Sequence, residues 1–340
     1  MFVITAVALG GLILCGPTEG GVTSLTNATV SYTSPTAHYV ILERNGVRAV
    51  IVDNAAVDVP ELPGHRAGYS GVASLSHTKR RENVFVPLYA GLNFEHIHDG
   101  TMKVEKEKFE PRRVPMQLRI IDKHTVELYQ APTPNWKLES CGRYQMLPDG
   151  TLEYTFECVP RADTFRDGGF LGFFWASYIA APKKREIHFR GRLAGSSLPT
   201  QWIEASSASH GVDSTHPPTG PLPELKFAPQ FPLTLANHRS KYLYEDPFYY
   251  GVSHGMALAF VFRRKDGIWF AQSPSGGGGR NPAWDFQWFV EEYKVGELYR
   301  FVMRTVYVPF ESQEQVQRSV QPHLKALEAV SPPQDGQTRG

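Results

Sequence analysis

The densest group of polar side chains in this chain runs from Asn93 to Gly100, with the sequence NFEHIHDG. If this segment is a strand, His96 and His98 lie on one face, which they share with Phe94. Glu95 then faces the other way. Two imidazoles on one face can bind a divalent metal, or they can act as acid–base groups and hydrogen-bond partners of a polar substrate.

Ordinary histidines at a polar strand end are the alternative interpretation of this group. The apolar run at 84–87 places the group beside the core, and polar side chains in that setting favour a functional role. A metal held by His96 and His98 is the weaker hypothesis, because the spacing lacks the nearby glutamate of a cupin-like site. No cofactor is therefore predicted, with a divalent metal kept as an alternative.

A second group, from Glu245 to Gly255, reads EDPFYYGVSHG and precedes a strongly apolar strand. We predict a loop here, since loops at the ends of rigid strands commonly carry functional residues. Glu245 and His254 are candidate catalytic residues, and Tyr249 and Tyr250 are candidate substrate contacts. A tyrosine-rich turn packed on the sheet explains the same pattern equally well.

A third group, from Gln272 to Trp288, contains four consecutive glycines. They do not match a phosphate-binding loop, which needs a Lys-Ser/Thr pair and a following helix. We predict a wide surface loop, with Arg280 and Trp284 as candidate substrate contacts and Asp285 as a candidate catalytic carboxylate. Alternation places Trp284 on one face with Phe286 and Trp288, and this aromatic row is expected to be mainly core.

Two further candidates for substrate binding lie near the first group. Asn93 begins that group, and Arg80 belongs to the charged loop at 76–83 that precedes it. The chain contains no HExxH zinc motif and no dinucleotide-binding glycine pattern, and its G-x-S-x-G spacing at 251–255 precedes an apolar strand rather than the helix of a serine-hydrolase elbow. Those enzyme classes are therefore not supported.

Charge and composition restrict the function further. The 340 residues include 35 basic and 34 acidic side chains, so the net charge of +1 offers no basic field for nucleic acid. A hydrophobic fraction of 41% with 20% charged residues is typical of a folded globular protein. Any charge-based chemistry must therefore be local.

The elements that would position these groups are mainly strands. Aromatic residues make up 12% of the chain, beside 30 glycines and 26 prolines, which favours an all-β protein with many turns. Period-two runs dominate, and Asn45-Gly46 between two of them predicts a hairpin. One helix is predicted at 312–329, interrupted by Pro322.

The chain divides into four predicted parts. Residues 1–21 resemble a secretion signal, because the apolar run from Phe2 to Cys15 is too short to span a bilayer and is followed by small residues. We predict a secreted or periplasmic protein, with a lipid anchor at Cys15 as a weaker alternative. Residues 30–310 form one β-sandwich domain, 311–331 a C-terminal helix and 332–340 a disordered tail.

Two cysteines remain beyond the signal-like segment. Cys141 and Cys158 lie in neighbouring strand-like runs, which allows a cross-strand disulfide in an oxidising compartment. Two buried free thiols fit the pattern as well. Neither cysteine has the context of a reactive thiol.

The combination of histidines, carboxylates, arginines and aromatic residues on a β scaffold suits carbohydrate. Sugar rings present apolar C–H faces for stacking and hydroxyls for polar partners. Carbohydrate is therefore the predicted partner, with no nucleic acid and no stable membrane span; the pattern leaves the oligomeric state open.

The sequence also resembles the galactose-mutarotase-like (aldose 1-epimerase-like) superfamily over most of 30–310. The likeness rests on the number of strands, the Asn45-Gly46 hairpin, the segment at 281–286 and Asn93-Phe94-Glu95-His96, which is similar to the family's Asn-x-Leu-His segment. The resemblance implies a large antiparallel β-sandwich, or supersandwich, and makes His96 the sugar-facing histidine. The strand at 173–178 occupies the place of the family's second motif without its histidine.

Three classes of function follow, the weakest of which is a metal-dependent β-fold enzyme built on His96 and His98. The first is a secreted carbohydrate-active enzyme, in which a histidine (His96, His98 or His254) is the acid and a carboxylate (Glu95, Glu245 or Asp285) the base. Epimerisation is the activity that the resemblance implies; glycan cleavage by paired carboxylates, or β-elimination with a tyrosine and Arg80 or Arg280, are variants. The second class is a non-catalytic glycan-binding or envelope protein.

Overall fold

The computed structural model describes residues 22–101, 107–231, 238–276 and 278–329. The signal-like segment 1–21 and the predicted tail 332–340 lie outside the described residues. Within the described ranges no helix is long and apolar enough to cross a bilayer.

The described residues form seventeen strands and two α-helices. In chain order they are β1 (Tyr39–Arg44), β2 (Val47–Val52), β3 (Gly71–His77), β4 (Asn93–His98), α1 (Glu110–Arg113), β5 (Met116–Asp122), β6 (Thr125–Gln130), β7 (Leu138–Met146), β8 (Leu152–Pro160), β9 (Phe170–Ala176), β10 (Ile187–Leu193), β11 (Gln201–Ala205), β12 (Thr215–His216), β13 (Tyr242–Ser253), β14 (Met256–Phe262), β15 (Trp269–Ser273), β16 (Ala283–Glu291), β17 (Tyr299–Pro309) and α2 (Gln313–Ala329).

The strands form three antiparallel sheets. The nine-stranded sheet has the order β11-β10-β13-β14-β17-β8-β7-β6-β5, the five-stranded sheet β12-β15-β16-β9-β4, and the small sheet β1-β2-β3. The predicted hairpin at Asn45-Gly46 joins β1 to β2, with positive φ angles of 47° and 79° at the two turn residues. Both angles match a turn whose twist suits paired strands. The predicted all-β sandwich with a C-terminal helix is confirmed.

Aromatic side chains fill the space between the two larger sheets. Trp175 of the five-stranded sheet stacks on Phe286 of the same sheet, with ring centroids 5.1 Å apart and planes 9° apart. It meets Phe156 of the nine-stranded sheet edge-on at 4.9 Å. The predicted core row is confirmed, since Trp284 and Phe286 are fully buried and Trp288 is 6% exposed.

Helix α2 covers part of the outer face of the nine-stranded sheet. Val316, Val320 and Leu327 pack against apolar side chains of β13, β14 and β17. The predicted interruption at Pro322 is wrong, because the helix runs through it. Pro322 lies on the exposed side of the helix, while the buried residues on either side of it hold both halves against the sheet.

The two cysteines are free and buried. In the register of β7 and β8, Cys141 pairs with Glu157 and Cys158 pairs with Ser140. Residues directly opposite one another point to the same face, so the two thiols point to opposite faces of the sheet. This geometry rules out the cross-strand disulfide and selects the two buried thiols.

Replacing Trp175 tests the importance of the aromatic layer. Trp175→Ala should lower the free energy of unfolding by about 3–5 kcal/mol, because it removes a fully buried ring and leaves a cavity. The measurement is urea unfolding, with the midpoint compared at an unchanged m-value. Leu198→Ala is the control, since Leu198 is 64% exposed and its loss should change stability by less than about 0.5 kcal/mol. Equal effects of the two variants would contradict the assignment of the core.

Candidate functional site

A bulge in strand β4 sets the geometry of the first polar group. Phe94 pairs with Trp175 of β9, but the next pair is His96 with Phe174, so Glu95 is an additional residue. Such a bulge breaks the period-two alternation. The prediction that Phe94 shares a face with the two histidines is therefore wrong. Phe94 lies in the core between the sheets, whereas His96 packs on Phe174.

Glu95 is the centre of a buried polar cluster. Its carboxylate accepts hydrogen bonds from the Tyr178 hydroxyl and from the Asn93 side-chain amide, the latter at 3.0 Å. The Arg112 guanidinium lies 3.7 Å away, and the His96 Nε2 atom 3.4 Å away. Burial raises the pKa of Glu95, while Arg112 and the two hydrogen bonds act in the opposite direction.

His96 and His98 are buried beside this cluster. The His96 ring lies between Phe109 and Phe174, with centroid distances of 4.6 and 5.2 Å. The His98 ring lies over Gly172, where a Cβ atom would come within 2.4 Å of it. Aromatic side chains surround it: Phe170, Phe227, Phe231 and Phe289.

Neither histidine has a hydrogen-bond partner for its ring nitrogens among the residues that the structure describes. Burial lowers the pKa of His98 to about 3 and that of His96 well below its ordinary value. Both rings are therefore uncharged at neutral pH. An uncharged ring nitrogen can accept a hydrogen bond or a proton, but a pKa so far below neutrality makes each ring a weak base.

Asp285 belongs to the same neighbourhood. It lies on β16 and accepts a hydrogen bond of 3.0 Å from the Ser177 backbone N–H. Burial raises the pKa of Asp285 well above its ordinary value, and the charge of Glu95 adds to the increase, whereas the bond from Ser177 opposes it. Ser177 and Tyr178 follow directly after β9, so the segment at 173–178 reaches both carboxyl groups.

Three tyrosines and an arginine border the cluster. The rings of Tyr69, Tyr89 and Tyr178 pack together, with centroid distances from 4.6 to 5.7 Å. The Arg112 guanidinium lies 4.0 Å from the centre of the Tyr69 ring. Sequence reasoning missed Tyr69, Tyr89 and Arg112, because they come from segments that only the fold brings together. Tyr178 had a signal, since it ends the segment at 173–178.

A cleft of about 450 Å³ opens beside this cluster. Its lining includes Gly68, Phe109 and Arg112, together with Asn54, Ala67 and Arg113. Arg112 is fixed there by a hydrogen bond of 2.8 Å from its Nε atom to the Gly68 carbonyl oxygen. Phe109 and Arg112 thus face the cleft and also contact His96 and Glu95.

The three aromatic side chains predicted to contact substrate, Tyr249, Tyr250 and Trp284, are buried in packing. The segment predicted as a loop is strand β13, in which Tyr249 points into the core and donates a hydrogen bond of 2.8 Å to the Asp285 carbonyl oxygen. Tyr250 points to the other face, toward α2. Trp284 is fully buried against Gly251, where a Cβ atom would come within 2.3 Å of the ring.

The other predicted residues make their contacts elsewhere. Glu245 lies 3.9 Å from Arg192 of the neighbouring strand, and Arg80 pairs with Glu82 at 3.2 Å. His254 is in the turn between β13 and β14, with its Nδ1 atom 3.0 Å from the Ser253 hydroxyl. Arg280 is exposed in its loop. The structure therefore brings together Asn93, Glu95, His96, His98 and Asp285, and separates the rest from them.

In the described parts of the chain, three possible metal-donor atoms lie close together, and His96 and His98 do not contribute to this group. The three atoms belong to Glu186, His188 and Glu204, all within 4.8 Å of one another, on the nine-stranded sheet.

Replacing His98 tests its uncharged state. In the unfolded chain this histidine takes up a proton below about pH 6.5, but in the folded chain only near pH 3, so its burial destabilises the fold increasingly as the pH falls between those values. His98→Phe removes this effect and suits the aromatic surroundings. Between pH 7 and pH 5 its free energy of unfolding should rise relative to wild type by about 2 kcal/mol, measured by urea unfolding. A difference that does not change with pH would contradict the assignment.

Neither a protein-family model nor a curated protein sequence matches the chain. Solved structures resemble it at low identity. The GalM/aldose epimerase homologue from C. elegans is 8% identical with a TM-score of 0.43, covering 82% of this chain and 100% of its own. The protein HI1317 is 10% identical with a TM-score of 0.40, covering 79% of this chain and 91% of its own.

Heparan sulfate lyase HepC from Pedobacter heparinus is a further neighbour. It is 12% identical with a TM-score of 0.35, covering 87% of this chain, which spans only 40% of the lyase. At TM-scores below 0.5 these likenesses do not bear on chemistry, which rests on the contacts of the site itself. The structural neighbours include proteins of the galactose mutarotase-like fold, at low sequence identity.

Proposed function

We propose that this protein binds a sugar in the cleft beside Arg112 and transfers protons to and from it with Glu95 and His96. The observation that supports the proposal is the convergence of Glu95, His96, Tyr178 and Asp285 on one face of the five-stranded sheet. The ring nitrogens of His96 and His98 have no hydrogen-bond partner in the described structure, which is the arrangement expected of groups that await a polar ligand.

The cleft offers both kinds of contact that a sugar needs. Its volume of about 450 Å³ lies in the range of small-molecule sites, about 300–1,000 Å³. The ring of Phe109 in the lining offers apolar surface to the C–H face of a sugar. The Arg112 guanidinium can donate hydrogen bonds to ring or hydroxyl oxygens.

Burial acts in opposite directions on the Glu95–His96 pair. It raises the pKa of the carboxyl group, against the opposing effects of Arg112, Tyr178 and Asn93, and it lowers the pKa of the imidazole. We take Glu95 as the acid and His96 as the base, the reverse of the assignment made from sequence. For an aldose, His96 would remove the proton of the anomeric hydroxyl while Glu95 protonates the ring oxygen. The ring opens to the aldehyde, and closure on the other face gives the other anomer.

The test is mutarotation. Fresh α-anomers of common aldoses are followed by optical rotation with the wild-type protein, Glu95→Gln and His96→Gln. The wild type should accelerate the change over buffer, and each variant should lower the rate constant about 10²- to 10⁴-fold, because each removes one proton-transfer group. Arg318→Gln is the control, since Arg318 is exposed on α2 and should leave the rate unchanged. No acceleration by the wild type with any aldose would sink the mutarotase proposal.

Binding without turnover is the second candidate. The low solvent exposure of the polar cluster favours it. Glu95, His96 and Asp285 are only 7%, 4% and 1% exposed, and the side chains of Phe109 and Arg112 stand between the cleft and this group. A sugar that stays in the cleft would meet Arg112 but not His96.

Calorimetry with the same sugars separates the two candidates. For a binding protein we expect heat of binding with no acceleration of mutarotation. Arg112→Ala should weaken the affinity about tenfold or more, by removing a charged hydrogen-bond donor, and His96→Gln should leave it unchanged. Equal weakening by both variants would instead place the sugar against His96 and favour the enzyme.

We also propose export of the protein, based on the signal-like pattern of residues 1–21. The measurement is the N-terminal sequence of the protein recovered from the medium or periplasm of the producing cells. A start near Gly21 would support export, whereas an intact N-terminus in the cytoplasmic fraction would refute it.

A further inference from the structure

A second group of ligand-type side chains lies on the outer face of the nine-stranded sheet, apart from the sugar site. His188 of β10 pairs directly with Glu204 of β11, so their side chains point to the same face. Glu186 precedes His188 by two residues and therefore shares that face. The three residues offer one imidazole nitrogen and two carboxylate oxygens, all within 4.8 Å of one another.

The imidazole of this group is buried and held in place. His188 is 9% exposed, and its ring stacks on Tyr250 with centroids 4.9 Å apart and planes 20° apart. Its Nδ1 atom has no hydrogen-bond partner in the described structure, although it lies 4.0 Å from the Glu204 Oε2 atom. The Nδ1 atom therefore faces a gap that is too wide for a direct hydrogen bond.

The two carboxylates already hold a cation in common. The Lys184 Nζ atom lies 3.1 Å from the Glu186 Oε1 atom and 3.7 Å from the Glu204 Oε2 atom. Lys184 and Glu204 have side-chain exposures of 67% and 57%, so both can reorient without disturbing the sheet. Lys184 therefore occupies a position that favours positive charge, and its side chain can leave that position.

We propose that Glu186, His188 and Glu204 bind a divalent transition metal of the Zn²⁺ type, which displaces the Lys184 ammonium. One imidazole with two carboxylates suits zinc and its neighbours, whereas calcium and magnesium prefer oxygen ligands alone. Ligand bonds of about 2 Å require the donor atoms to close in slightly around the ion, which side-chain torsions of the exposed Glu204 allow. Water completes the coordination.

The experiment uses the full chain, purified without a histidine tag and treated with a chelator that is then removed. Zn²⁺ is titrated by calorimetry, and Co²⁺ by visible absorption, which reports the coordination directly. We expect one equivalent of metal. His188→Gln and Glu204→Gln should each weaken binding at least tenfold, and Lys184→Met should tighten it severalfold because the competing ammonium is gone.

Two controls keep the result specific. His210→Gln removes an exposed histidine and His98→Gln a buried one at the sugar site, and both should leave the affinity unchanged. Thermal melting verifies that His188→Gln is folded; if it is not, Glu204→Gln decides, because its exposed side chain is dispensable for folding. Absence of stoichiometric binding, or binding that survives both Glu204→Gln and His188→Gln, would overturn the proposal. Either result leaves the sugar proposal untouched, since the two sites share no residue.

Discussion

The packing of Trp175 in the layer between the two larger sheets fixes the rest of the molecule. Its ring stacks on Phe94 of β4 and on Phe286 of β16, at 4.9 and 5.1 Å. These contacts set the register of three adjacent strands of the five-stranded sheet. Because side chains alternate between the faces of a strand, the residues next to these rings, Phe174 and Asp285 among them, must point to the outer face. The aromatic layer thus determines which polar groups meet.

Contacts within the polar cluster offset part of the cost of burying Glu95 on that outer face. Folding removes water from the Glu95 carboxylate, which costs free energy. Hydrogen bonds from Tyr178 and Asn93 and the nearby charge of Arg112 offset part of that cost. The two histidines instead avoid the cost by remaining uncharged. Uncharged rings with unpartnered nitrogens still destabilise a fold, since each buried polar atom without a partner costs about 1–3 kcal/mol. A ligand that supplied the missing hydrogen bonds would remove this cost, which links the site's instability to its proposed use.

Much of the architecture could be predicted from the sequence, because period-two runs and turn residues are local signals. The hairpin at Asn45-Gly46, the strands of the C-terminal half and the core row at Trp284 all follow from such signals. The prediction of a loop at 245–255 failed because the acidic residues of this segment pair with residues distant in sequence. Glu245 and Asp246 of β13 face Arg192 and Arg190 of β10. Without knowledge of the partner strand, the local sequence of β13 is typical of a polar loop.

Only part of the candidate site could be predicted in the same way. The segment that starts at Asn93 stood out by its composition, and Glu95, His96 and His98 do lie together with Asp285. Their arrangement depends on the bulge at Glu95. The bulge arises from the pairing of β4 with β9, and the alternation of polar and apolar residues in the sequence does not indicate it. Arg112 and Tyr69 carried no local signal, since nothing in their own segments indicates that they border a carboxyl group.

The proposed function depends on contact between a sugar and the polar cluster of the five-stranded sheet. Side-chain ¹⁵N NMR of the histidine rings, recorded with and without an aldose, tests it most directly and needs no turnover. The account predicts that the His96 ring resonances shift on addition of the sugar while those of the exposed His210 do not. Sugar binding that leaves the His96 resonances unchanged, or no response to any aldose, would contradict it.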